Sequence, residues 1–293
     1  MSVLIILTVL GVIALLTIFL EREVPTVQLG KGWDEREKVR IRYGEDERQF
    51  VDLYLPDRRE VWLAFVVHGG GFRGGTATGS SAKTMANPFF EKGFAVASVE
   101  YRVCPSVKWP TPLEDIAQGI RATLSYLESE GVEVRGSVYI GSSAGAIAGA
   151  LLIYGPEADS YGVWNIFNGY IGLSGGYCIS EFPEARLRES NGTYQLCAIE
   201  IWEIFPFDEF TDVRRVPALL IAGDEDRLLD GRAGTNGVNH QARCFASLLR
   251  SRGVHVRTLY LRGGHSAPVR RIAAGGDGVL STINEFLSNL MGG

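Results

Sequence analysis

The 293-residue chain has few cysteines and histidines and no concentration of positive charge. Its four cysteines, Cys104, Cys178, Cys197 and Cys244, lack the spacing of metal-binding modules. The formal net charge is −5 and the basic residues are scattered, so nucleic-acid binding has no support. The sequence also has no internal repeat and no low-complexity linker, which argues against a repeat array or a set of tethered domains.

The composition and the order of segments predict one α/β domain. Apolar residues make up 46% of the chain, which is enough for one large core. From about residue 61 onward, strand-like and helix-like segments alternate, and this pattern predicts a mostly parallel sheet with helices on both faces. Two earlier runs, residues 39–43 and 50–55, alternate as antiparallel edge strands do. We predict that this domain covers residues 38–291.

A Gly-x-Ser-x-Gly motif centred on Ser143 lies between two different kinds of segment. The β-branched and aromatic run at residues 137–140 predicts a buried strand, and the small apolar residues 146–154 predict a packed helix. A serine at the apex of a strand-to-helix turn is typical of a nucleophile elbow. A second match is centred on Ser174, but paired glycines and no helical period follow it, so we interpret Ser174 as part of a turn.

A glycine run, His68-Gly69-Gly70-Gly71, directly follows the apolar residues 61–67. Such a run lets the backbone approach a substrate carbonyl and direct N–H groups at it. The alternative is a glycine-rich surface turn. The run comes one β-α-β unit before Ser143, where an oxyanion loop belongs, so we favour the first interpretation.

The chain has four histidines, and His265 is the favoured general base. His68 belongs to the glycine run, His240 opens a helical stretch, and His255 begins the strand-like residues 255–261. His265 lies in a loop just past that strand, which is the exposed setting that a catalytic imidazole needs. A merely structural loop histidine is the alternative.

Three carboxylates compete for the role of the acid that orients the base. They follow residues 217–222, a continuous apolar run typical of a strand buried on both faces. Asp226 is favoured because it lies far enough past the strand to turn back toward His265. Asp224 remains the alternative, and Glu225 is interpreted as a solvated loop charge.

Together these motifs resemble the α/β-hydrolase fold and, within it, the carboxylesterases related to hormone-sensitive lipase. The resemblance covers about residues 46–290 and is carried by residues 68–71, 100–102, 109–115, 141–145, 223–228 and 265. It implies a mostly parallel sheet flanked by helices, with no metal ion and no other cofactor. It also implies these roles: Ser143 as nucleophile, Asp226 as acid, His265 as base, and the N–H groups of Gly70, Gly71 and Ala144 as the oxyanion hole.

Two departures from the family pattern bear on the substrate. Ser142 stands where the family often has Asp or Thr, and Ser266-Ala267 stand where many relatives have Gly-Phe after the histidine. Both features are also similar to kynurenine formamidases and small acyl-sugar or feruloyl esterases. We therefore predict a serine carboxylesterase for small or medium acyl esters, with an amidase or formamidase as the alternative. A non-catalytic small-molecule receptor is a third hypothesis, although receptors of this family typically lose a triad member.

The N-terminus predicts a single-pass membrane anchor over residues 1–22. Residues 2–20 carry no charge and, at about 1.5 Å each in a helix, span about 28 Å. No Lys or Arg precedes the run and no small-residue cleavage site follows it, which favours an anchor over a cleaved signal peptide. Basic residues follow the run, so the positive-inside rule favours a cytoplasmic catalytic domain, although Glu21 and Glu23 flank Arg22.

Residues 176–216 fit neither a strand nor a helix period and are rich in aromatic and aliphatic side chains. A long apolar connection of this kind is usually functional, and we interpret it as a cap over the acyl pocket. The alternative is an extra helix pair packed on the core. Cys178 and Cys197 in this region could pair if the domain faces an oxidising compartment, but free buried thiols are the favoured interpretation. Asn191 fits a glycosylation sequon, although Asn-Gly is also a turn signal.

Overall fold

The structure, a computed structural model, describes residues 37–177, 214–226 and 240–292. In this part of the chain eight strands form one sheet in the order β1-β2-β4-β3-β5-β6-β7-β8. β2 pairs antiparallel with both β1 and β4, and the pairs among β3 to β8 are all parallel, as the alternation of segments predicted. The strands are β1 (Val39–Arg42), β2 (Phe50–Tyr54), β3 (Glu60–Val67), β4 (Ala95–Val99), β5 (Glu133–Ser142), β6 (Phe167–Leu173), β7 (Ala218–Gly223) and β8 (Val256–Leu261).

Helices cover both faces of this sheet and bury two apolar clusters against it. The helices are α1 (Ser80–Glu91), α2 (Thr111–Ser129), α3 (Ala144–Tyr154), α4 (Ala158–Tyr161), α5 (His240–Ser251), α6 (Ala267–Ala273) and α7 (Asp277–Met291). One cluster unites α2, α3 and α5 with one face of the sheet. The other unites α1, α6 and α7 with the opposite face. Because both faces are covered, the central strands are apolar without alternation.

The register of the parallel strands brings the site-bearing loops to one edge of the sheet. Val67 at the end of β3 pairs with Gly141 of β5, and Gly223 at the end of β7 pairs with Leu261 of β8. The loops that follow β3, β5, β7 and β8 therefore leave the sheet at its carboxyl edge. In open α/β sheets this edge is where ligands bind.

Several sequence predictions lie outside the described residues. These are the anchor at residues 1–22, almost all of the cap at residues 176–216, and the positions of Cys178, Cys197 and Asn191. Within the described ranges, no helix combines the length and the apolar character that crossing a bilayer requires. Cys104 and Cys244 are described, and both are disulfide-bonded.

Candidate active site

Ser143 stands alone between a strand and a helix, because β5 ends at Ser142 and α3 begins at Ala144. Its backbone has φ 51° and ψ −116°, a region that residues with a side chain rarely adopt. The N–H of Ser143 donates to the carbonyl of Leu173 at the end of β6, at 2.8 Å, which ties the strained turn to the next strand. This geometry raises the half-buried Ser143 above the sheet edge and sets it at the positive end of the α3 dipole.

The glycine run after β3 packs directly against this turn. A Cβ atom added to Gly69 would lie 2.7 Å from the carbonyl oxygen of Ser142 and 3.1 Å from the Cβ of Ser143. Gly70 and Gly71 follow with φ of 118° and 61°, and both are exposed. The run therefore lies beside the serine, and its close approach requires a residue without a side chain at position 69.

His265 and Asp226 meet at the same sheet edge. The Nδ1 atom of His265 lies 2.7 Å from Oδ2 of Asp226, although 39 residues separate them in the chain. Asp226 is 4% exposed, whereas the His265 side chain is 24% exposed. A hydrogen bond at Nδ1 fixes the imidazole so that Nε2 remains for a proton transfer.

The competing carboxylate Asp224 has a different set of contacts. Its Oδ1 accepts the backbone N–H of Gly263 at 2.8 Å, and its own N–H donates to the carbonyl of Leu261 at 2.8 Å. Glu225 is exposed, and its backbone N–H donates to the Gly263 carbonyl at 2.9 Å. Asp224 and Glu225 thus join the loop after β7 to the loop after β8, and Asp226 contacts the histidine.

The other histidines lie elsewhere in the fold. His68, the first residue of the glycine run, is 2% exposed, His240 begins α5, and His255 is an exposed residue just before β8. Ser174, the centre of the second motif, is the first residue after β6. It has φ 49°, is 3% exposed, and its hydroxyl has no hydrogen-bond partner among the described residues.

The BD-FAE family model matches residues 51–160, which run from β2 through the glycine run and the Ser143 turn to α4. The fold is shared with esterase B from Lactobacillus rhamnosis in an inhibited form, with a TM-score of 0.75. This match covers 97% of this chain and 96% of the other, at 17% sequence identity. The described residues therefore have the α/β-hydrolase fold.

Two curated proteins are also similar to this chain. A probable isoprenylcysteine alpha-carbonyl methylesterase of Oryza sativa subsp. japonica is 32% identical over 146 residues, which is 46% of this chain. The chain spans only 33% of that rice protein's length. The kynurenine formamidase of Drosophila melanogaster is 24% identical over 278 residues, covering 90% of this chain and 86% of the other.

The structure places Glu100, which had no predicted role, beneath the glycine run. Glu100 is 2% exposed and directly follows β4. Burial alone would raise the pKa of its carboxyl group, but hydrogen bonds from His68, Thr76 and the N–H of Ala77 hold that pKa below its ordinary value. The sequence signal for this role was an acidic residue directly after a short apolar strand. A carboxylate buried at such a position needs hydrogen-bond partners.

Proposed function

We propose that the protein is a serine carboxylesterase that hydrolyses small or medium acyl esters through an acyl-enzyme. The observation that carries this proposal is the 2.7 Å contact between His265 and Asp226 at the sheet edge that also holds Ser143. A histidine, a buried carboxylate and a serine in a strained strand-to-helix turn are the parts from which an activated nucleophile is built. The similarity to the rice methylesterase supports the same reaction class.

Each step of this mechanism uses a residue at the carboxyl edge of the sheet. Nε2 of His265 takes the hydroxyl proton of Ser143, and the serine oxygen attacks the ester carbonyl. Backbone N–H groups of Gly70, Gly71 and Ala144 stabilise the oxyanion. His265 then protonates the leaving alcohol, and water hydrolyses the acyl-enzyme by the same route. Asp226 holds the imidazole in the productive tautomer throughout.

The direct test is Ser143→Ala assayed on p-nitrophenyl acetate and butyrate. We expect kcat to fall by about 10⁴-fold or more, because the nucleophile is lost. Ser174→Ala is the matched control, since it alters the other Gly-x-Ser-x-Gly motif, and it should keep most of the activity. Retention of activity by Ser143→Ala would refute the assignment.

A fluorophosphonate should label Ser143 in the unaltered protein, and failure to label folded protein would favour the receptor hypothesis.

A formamidase that uses the same residues is the second candidate function. The similarity to the Drosophila kynurenine formamidase over 90% of this chain favours it. Both reactions pass through a tetrahedral oxyanion, so the same site geometry serves either substrate. Values of kcat/KM for aryl esters and for N-formylkynurenine, measured side by side, separate the two. A formamide preference of about a hundredfold, equivalent to about 2.7 kcal/mol, would replace the ester proposal.

We also propose that residues 1–22 anchor the protein in a membrane and that residues 176–216 form a cap over the acyl pocket. The uncharged residues 2–20 support the anchor. Full-length protein should stay in the membrane fraction through high-salt and carbonate washing, and protein lacking residues 1–22 should be released and active. A mature N-terminus beyond Leu20 would instead indicate a signal peptide.

The disulfides of Cys104 and Cys244 bear on the side of the membrane that the domain faces. Disulfides persist in oxidising compartments and are rare where glutathione keeps thiols reduced. We therefore propose that the catalytic domain faces an oxidising compartment, opposite to the side that the flanking charges favoured. Protein trapped with an alkylating agent before lysis should show no free thiol at either position. Labelling of both cysteines would restore the cytoplasmic assignment.

A further inference from the structure

Both ends of the segment that carries Gly70 and Gly71 contact one buried side chain. We call residues 68–77 the oxyanion loop. Glu100 lies beneath this loop, just past the end of β4, and the mechanism above does not use it. Its carboxylate is 2% exposed, so each of its oxygen atoms needs a protein partner.

The two carboxylate oxygens of Glu100 bind opposite ends of the oxyanion loop. Oε1 lies 3.3 Å from Nε2 of His68, the first residue of the loop. Oε2 accepts the hydroxyl of Thr76 and the backbone N–H of Ala77, both at 2.7 Å, at the last two residues of the loop. One side chain therefore closes the loop, and the proposed oxyanion donors lie between the two points that it holds.

Arg48 adds a third link to this arrangement and balances its charge. Its guanidinium donates to Glu100 Oε1 at 2.5 Å and to the carbonyl of Gly75 in the loop at 2.7 Å. The loop is also folded tightly on itself, since a Cβ atom on Gly75 would lie 2.2 Å from the carbonyl oxygen of Gly69. The hydrogen bond between Arg48 and Glu100 is charge-assisted, and such bonds are about twice as strong as neutral ones.

Both ring nitrogens of His68 lie within hydrogen-bond distance of oxygen atoms. Nδ1 lies 2.8 Å from the carbonyl oxygen of Gly69, which can only accept a hydrogen bond. Nε2 faces Oε1 of Glu100 at 3.3 Å. The ring stacks on Tyr101 at 4.3 Å and 8°, and the Tyr101 hydroxyl donates to the His68 carbonyl at 2.9 Å. The start of the loop is therefore held from three sides.

We propose that Glu100 is a positioning residue for the oxyanion hole, which holds the N–H groups of Gly70 and Gly71 where charge develops in the reaction. This inference rests on the proposed function. Stabilisation of the oxyanion acts on the transition state more than on bound ester, so a displaced loop should lower kcat and leave KM almost unchanged. Misplacement by about 1 Å is enough to cost about 10²-fold in rate.

The test is Glu100→Gln, with Asp52→Asn as the matched control. The glutamine amide nitrogen cannot accept, so at least one end of the loop loses its acceptor. We expect kcat on p-nitrophenyl butyrate to fall by about 10- to 100-fold, with KM within about 2-fold. Asp52 is also a fully buried carboxylate, paired with Arg40 at 2.7 Å on the strand adjacent to β4. Its replacement should lower stability but leave kcat unchanged.

Thr76→Val gives a second measurement that keeps the charge of Glu100. It removes one hydrogen bond at the far end of the loop and should lower kcat a few-fold without raising KM. This variant decides the question if Glu100→Gln does not fold. The inference is overturned if kcat in Glu100→Gln matches that of Asp52→Asn, or if only KM changes. Fluorophosphonate labelling of Ser143 in the unaltered protein reports separately on the proposed function.

Discussion

The two aspartates after β7 permit a matched test of the acid assignment. Asp226 and Asp224 differ by two positions, and asparagine at either position keeps the shape of the side chain. Asp226 contacts Nδ1 of His265 at 2.7 Å, whereas Asp224 accepts the backbone N–H of Gly263 at 2.8 Å. The same substitution therefore removes a negative charge beside His265, the proposed base, in one variant and from a contact between two loops in the other.

The structure indicates the size of each effect. Asp226 is 4% exposed, so water provides little compensation when the imidazolium forms without its counter-charge. Loss of this charge and of tautomer control should lower kcat by about 10⁴-fold, equivalent to about 5.5 kcal/mol of transition-state stabilisation. In Asp224→Asn the amide oxygen still accepts the Gly263 N–H. That change should cost about 1 kcal/mol of unfolding free energy and leave kcat within a few-fold.

The assay is kcat and KM on p-nitrophenyl butyrate for both variants, together with urea unfolding of each. A large difference in kcat between two variants whose unfolding free energies differ by no more than about 1 kcal/mol would support the assignment. If Asp224→Asn were the slower enzyme, the wrong carboxylate would have been chosen. If both variants retained full activity, the contact between His265 and Asp226 would have no catalytic role.

Two further predictions concern the loop next to the serine and the buried carboxylates. Gly69→Ala should lower kcat by about 10²-fold. The added Cβ would lie 2.7 Å from the Ser142 carbonyl oxygen, so the loop must move away from the serine. An unchanged kcat in a folded variant would contradict this close contact. Asp52 and Glu100 both have a lowered pKa: burial opposes the shift, and hydrogen bonds from their partners outweigh it. Their stabilisation is present above the ordinary carboxyl pKa of about 4 and is lost as pH falls through the lowered values. Urea unfolding free energy should therefore decline below about pH 5, and less steeply in Asp52→Asn; parallel declines would refute this.

The sequence determined the secondary structure around the site because periodicity depends on near neighbours. Residues 217–222 predicted a strand buried on both faces, and β7 occupies nearly the same positions. The turn at Ser143 was predicted from the strand before it and the helix after it. The helix predicted after that turn begins two residues earlier than its apolar run, since Ala144 and Gly145 already belong to α3.

Only the tertiary structure decided which polar groups meet. Asp224 and Asp226 are the same residue type in one loop, and the register of β7 with β8 determines which of them reaches His265. From the sequence, Glu100 was identified only as part of the motif at residues 100–102. Its contacts with His68 and Thr76 arise because β4 lies beside β3, which brings together residues 32 and 24 positions apart. Such contacts depend on strand order and register, and no local pattern encodes them.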